Sequence, residues 1–75
     1  MELNEFVANF ADQFDDTDPS EIKAETVFRD LDEWSSLVGM SVIALAKTVY
    51  GKSINGPQLK TCRTVEDVFN LINQK

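Results

Sequence analysis

Leu3, Phe6, Val7, Phe10 and Phe14 fall at i, i+3, i+4, i+7 and i+11, which places them on one face of a helix. Glu2, Glu5, Asp12, Asp15 and Asp16 decorate the other side. Three phenylalanines at this spacing read as core. The periodicity breaks between Asp15 and Trp34, where "DDTDPSEIKAET" holds Pro19 and many polar residues and predicts a long connection. A loop of this length belongs in a compact domain when it packs or works. Ile22, Val27, Phe28, Leu31 and Trp34 can pin it to the core.

Ser36 to Tyr50 predicts the second long helix, closed by Gly51. Gly56-Pro57 marks a turn, with room for one short helix around Gln58–Lys60. Thr64-Val65-Glu66-Asp67 has the spacing of a capping box and opens a last helix, whose apolar face is Val65, Val68, Phe69 and Ile72. The expected architecture is all-α: a small bundle of three main helices plus one short helix, with a long loop between helices 1 and 2. No repeat or low-complexity segment divides it, so residues 1–75 read as one domain.

The second helix carries more apolar surface than a core needs. At 100° per residue, Val38, Leu45, Val49, Val42, Ala46, Tyr50 and Ile43 cover one broad side. Leu37, Met40 and Ala44 form a separate stripe opposite, flanked by Ser41, Lys47 and Thr48. A helix apolar nearly all round is either enclosed or meets a partner. A chain of 75 residues hides only about 60% of its unfolded surface and cannot enclose it. The stripe is therefore a candidate docking surface; the alternative is that the preceding loop folds over it.

Composition narrows the chemistry. There is no histidine, hence neither the commonest general base nor the commonest metal ligand. The lone Cys62 can form neither an internal disulfide nor a thiolate metal site by itself, and it fits a reducing cytoplasm. Met1-Glu2-Leu3-Asn4-Glu5 lacks the basic start of a signal peptide, and the run Val42–Ala46 is far too short to span a membrane. A formal charge of −6 argues against nucleic acid and anionic membranes, and for partners with basic surfaces.

The candidate chemistry lies in "DEWSSLVGM", residues 32 to 40. Ser35 or Ser36 stands where the second helix begins, and serine is a good N-cap. A cap accounts for one serine. It does not account for two beside an exposed leucine, with Asp30, Asp32 and Glu33 just upstream. The N–H groups of a helix start also favour a phosphate.

Trp34-Ser35-Ser36-Leu37 resembles the attachment region of acyl carrier proteins, whose usual pattern is Asp-Ser-Leu at the start of the second helix. Phe28, Asp30 and Leu31 resemble the segment leading into that motif. "SVIALAKTVYGKSI" resembles the second helix with its aromatic, Gly and Ile positions, and "TVEDVFNLI" the closing helix. From Ser36 to Ile72 the register needs no gap. The resemblance implies a cytoplasmic, monomeric carrier and not an enzyme. A phosphopantetheinyl transferase would attach 4′-phosphopantetheine to Ser36. The arm would hold acyl or aminoacyl groups as thioesters. Acyl-loading and acyl-transferring or condensing enzymes would meet the protein at Leu37, Met40, Ala44, Asp30, Asp32 and Glu33. Two departures stand out: Ser35 replaces the usual aspartate, and Val38, Gly39, Ser41 and Lys47 stand where the family places acids, which points to specialised partners. Cys62 falls at an aliphatic position and reads as a small buried hydrophobe. The competing reading is an unmodified helical interaction module.

Overall fold

Among the described residues four α-helices form: α1 at Leu3–Ala11, α2 at Ser36–Tyr50, α3 at Gly56–Lys60 and α4 at Val65–Asn73; α3 takes in Gly56-Pro57, expected as a turn, because proline is tolerated in a helix's first turn. The computed structural model describes residues 2–73; Met1, Gln74 and Lys75, the ends of the expected domain, lie outside the described residues. The domain is all-α, with three main helices, one short helix and a long loop between α1 and α2. That loop carries two short 3₁₀ turns, Pro19–Glu21 and Phe28–Asp30.

The caps follow local chemistry. Ser35 is the N-cap of α2, and its side chain accepts from the Val38 N–H at 3.4 Å. Gly51 ends the helix in the left-handed region, at φ 67°, where a side chain would be strained. Asn55 and Gln58 cap α3 reciprocally. At α4 the expected box forms: Thr64 Oγ1 accepts from the Asp67 N–H at 3.2 Å, and the Asp67 carboxylate accepts from the Thr64 and Arg63 N–H groups at 3.1 and 3.0 Å. These backbone donors hold Asp67 below the usual carboxylate range.

Phe6, Phe10, Phe28, Val42, Val65, Val68 and Ile72 are fully buried and, with Leu59 of α3, join all four helices and the loop into one core. The rings form a continuous chain. Tyr50 and Phe69 pack on Phe6, Phe6 on Phe10, Phe10 on Phe14 and Phe28, and Trp34 on both of these, with centroids 4.6 to 6.3 Å apart. All are tilted, the arrangement aromatic quadrupoles favour.

Two further details differ from the sequence expectation. Phe14 keeps the helical register of the first stripe, but α1 stops at Ala11; a turn beyond the helix still buries Phe14. Val49, expected on the core side of α2, is 57% exposed. At fifteen residues α2 outruns the nine-residue α1 and α4 that line the core. In its last turn Tyr50 turns back instead, packing on Phe6 and accepting a 2.8 Å hydrogen bond from Asn9 Nδ2.

The loop is tied down at both ends of the bundle. Carbonyls of Ala24 and Thr26 accept the N–H groups of Glu66 and Val65, at 2.9 and 3.2 Å, and so satisfy donors that the start of α4 would otherwise leave open. Arg29 donates to the carbonyls of Leu59, at 2.8 Å, and Cys62, clasping the end of α3. Glu33 reaches back to the exit of α1. Its carboxylate accepts from the Asp15 N–H at 2.7 Å, the Asp16 N–H at 3.0 Å and the Thr17 hydroxyl at 2.6 Å.

The Thr17 hydroxyl, followed by those backbone donors, holds the Glu33 carboxyl below its ordinary range. A carboxyl depressed by folding contributes stability above its unfolded pKa, and that contribution is lost as pH falls through the folded value. Glu33→Gln removes the charge and leaves one acceptor oxygen for three donors. We expect a lower urea midpoint for the variant near neutral pH and a gap that narrows in acid, below the usual carboxylate range. Equal midpoints at neutral pH would show that Glu33 does not hold the loop.

Candidate functional site

The two adjacent serines take different positions. Ser35 has extended backbone (φ −155°, ψ 173°) and spends its hydroxyl on the cap. Ser36 is the first residue of α2, and it is exposed. Among the described residues its hydroxyl has no hydrogen-bond partner. The first turn of α2 contains no acid, so its free N–H groups keep their partial positive charge uncompensated. An oxygen bound to Ser36 and carrying negative charge would sit in a favourable field.

Around this serine the surface is apolar on one side and open on the other. Leu37 is 74% exposed and Met40 66%, and Ala44 is exposed in the same row. The loop does not cover this stripe. The polar neighbours are self-contained: Ser41 Oγ donates to the Leu37 carbonyl at 3.3 Å and Thr48 Oγ1 to the Ala44 carbonyl at 2.9 Å. Asp30 and Asp32 are exposed upstream. Glu33, grouped with them in the sequence, is instead engaged inside the chain with residues 15–17.

On its other side Ser36 borders a cleft of about 300 Å³ between the start of α2 and α3. Trp34, Gly39 and Leu59 line it, with Trp34 and Leu59 both close to Gly39, and Met40 and Ile43 continue the apolar lining. Arg29 and Lys60 stand at its edge. The volume is at the small end for a ligand pocket.

Sequence reasoning missed Gly39, registering it only as the lack of an acid. The residue is buried and is the fourth residue of the fifteen-residue α2. Its φ is not positive, so the backbone does not require glycine there. A Cβ built on it would meet Trp34 Cζ2 at 3.6 Å and Leu59 Cδ2 at 3.7 Å, ordinary contact distances, so packing does not require glycine either. Interior glycine costs a helix roughly 0.5–1 kcal/mol relative to alanine. What the missing side chain supplies is the floor of the cleft. A glycine three residues after a candidate serine, in the opening turns of a helix, is the signal that could have found it.

Among the described residues no group of three or more His, Cys, Asp or Glu side chains gathers to hold a metal ion, and no helix is long and apolar enough to cross a membrane. Cys62 is buried, and burial pushes its thiol above the ordinary value. Compared with known proteins, the chain matches no family model, no curated protein and no solved structure.

Two stability measurements check this geometry. Met40→Asp should change stability by no more than about 0.5 kcal/mol, because the side chain is largely in solvent. Val42→Asp, at a fully buried position, should cost at least ~3 kcal/mol. Equal losses in urea unfolding would make the stripe part of the core. Separately, Gly39→Ala should raise stability by roughly 0.5–1 kcal/mol. A lower thermal midpoint for that variant would mean that the cleft floor has no room for a methyl group.

Proposed function

We propose that this chain is a carrier: Ser36 receives a 4′-phosphopantetheine arm, and the arm holds acyl groups as thioesters for partner enzymes. The observation that carries this reading is the division of labour between the serines. Ser35 caps the helix, which leaves the Ser36 hydroxyl exposed and free of partners at the start of α2. The residues present fit a phosphodiester. The helix start offers free N–H groups, no acid stands in its first turn, and Lys60 lines the adjoining cleft.

In the loading step Ser36 Oγ would attack the phosphorus of the pyrophosphate in coenzyme A that bears the pantetheine. The Oγ–P bond forms, the bond to the bridging oxygen breaks, and adenosine 3′,5′-bisphosphate leaves. The hydroxyl proton passes to a base that the transferase must bring. When bound, the arm supplies a thiol able to form a reactive thioester. This chain's own residues then orient and present: α2 fixes the attachment point, and Leu37, Met40 and Ala44 offer an apolar face beside it for the transferase and for acyl-loading, transferring or condensing partners. A flexible tether raises the local concentration of its cargo at each partner's active site. Asp30 and Asp32 add negative charge upstream, suited to partners with basic surfaces.

The same exposed stripe supports a second reading, an unmodified helical interaction module, and Ser35 in the place of an acid favours it. Loading decides between them. Incubation with coenzyme A and a broad-specificity phosphopantetheinyl transferase should add the mass of one phosphopantetheine. Ser36→Ala should abolish the addition. Ser35→Ala should keep it while costing ~1 kcal/mol of stability through the lost cap. Addition that survives Ser36→Ala would move the site elsewhere, and no addition to the wild type by several transferases would favour the interaction module.

A further inference from the structure

The acids of this chain are unevenly placed. Of thirteen, none stands between Glu33 and Glu66, while Lys47, Lys52, Lys60 and Arg63 all fall in that stretch. The stretch builds α2 and α3. The surface these two helices contribute therefore has the opposite sign to the whole molecule, whose formal charge is −6. Lys47 is exposed and continues the row Leu37, Met40, Ala44 at the alternating spacing of a coiled-coil seam. It lies two turns beyond Met40 on the same line of the helix. Lys60 is exposed as well and borders the same cleft as Ser36 and Met40. Among the described residues neither lysine has an ion-pair partner.

We propose that the Leu37–Met40–Ala44 row, with Lys47 and Lys60 at its rim, docks an amphipathic helix of a partner protein whose apolar face is bordered by acidic residues. The proposal goes beyond the carrier reading and holds whether or not Ser36 is loaded. At physiological ionic strength charges more than about 8 Å apart are largely screened, so a helix touching α2 meets the two lysines and not the net charge. A second copy of this chain does not supply such a surface. The exposed large hydrophobics among the described residues, Leu37, Met40 and Val49, all belong to α2, so the acidic α1 and loop have none to set against the row. An anionic membrane would meet Asp30 and Asp32, exposed just upstream of the row. A protein helix can place a basic residue opposite those two and acids opposite Lys47 and Lys60, and the charges then also fix which way it lies.

Two stapled helical peptides test this on the unmodified protein. They share one apolar row of leucines and differ only in the residues beside it, glutamate in one and lysine in the other. Titrations followed by amide nitrogen–proton spectra at about 0.15 M salt should move the resonances of Leu37, Met40, Ala44, Lys47 and Lys60. The glutamate peptide should bind roughly fivefold or more tightly than the lysine peptide, with the gap closing as salt rises. Lys47→Glu combined with Lys60→Glu should invert the preference. Should that variant lose its helical circular dichroism, Lys47→Gln with Lys60→Gln takes its place and should abolish the preference. No shift with either peptide, equal affinities, or a preference unchanged in the variants would each overturn the proposal. Vesicles of phosphatidylglycerol and sedimentation equilibrium complete the test. Wild-type protein that sediments with the vesicles, or that self-associates, and ceases to do so in the variants would assign the face to a lipid surface or to a second copy instead.

Discussion

Everything distinctive about this molecule depends on the packing of Trp34. The indole lies 4.6 Å from the Phe28 ring and 6.3 Å from Phe14, at the end of an aromatic chain that begins at Tyr50 and Phe69. Ordering a long polar connection costs about 1–2 kcal/mol of backbone entropy per residue. A large, half-buried ring packed against two others offsets part of that cost. By seating the last turn of the loop on the bundle, Trp34 also fixes where α2 starts. The positions of Ser35 and Ser36 are thus set by a contact immediately upstream, and the same ring forms a wall of the cleft.

Much of the fold was legible in the sequence because it is local. Helix faces follow from spacing, Gly51 ends α2 through its left-handed backbone, and Thr64 with Asp67 makes the box that its spacing implies. What escaped is what depends on distance in the chain. Nothing in "IKAET" announces that the carbonyls of Ala24 and Thr26 will accept from the first N–H groups of α4, some forty residues later. Glu33 looked like one more surface acid, yet three donors from residues 15–17 converge on it. Val49 carries the right angle for the core and the wrong height: helical projection gives direction around the axis, not the length of the neighbours.

The site was legible in the same uneven way. Two serines at a helix start raise a question that sequence cannot answer, since either can cap. The backbone resolves it, because only Ser35 has the extended angles of an N-cap and only its oxygen meets the Val38 N–H. The apolar stripe was visible as a second hydrophobic direction on α2, and Leu37 and Met40 stand in solvent as that direction implied. The cleft was not visible at all. It is made by a residue with no side chain, and hydropathy patterns have no symbol for a deliberate gap.

Cys62 has a consequence of another kind. Its sulfur is buried, lies 3.8 Å from the Gln58 carbonyl oxygen, and burial pushes its pKa above the ordinary thiol value. Thiolates, not thiols, attack disulfides and alkylating reagents. Burial and the upward pKa shift therefore disfavour attack by the Cys62 sulfur on disulfides and alkylating reagents while the fold is intact. For a protein proposed to work through an appended thiol, that is a form of chemical insulation: the exposed thiol of the arm would react ahead of the buried Cys62, so the working group could be capped, tagged or immobilised with little competition from the scaffold thiol.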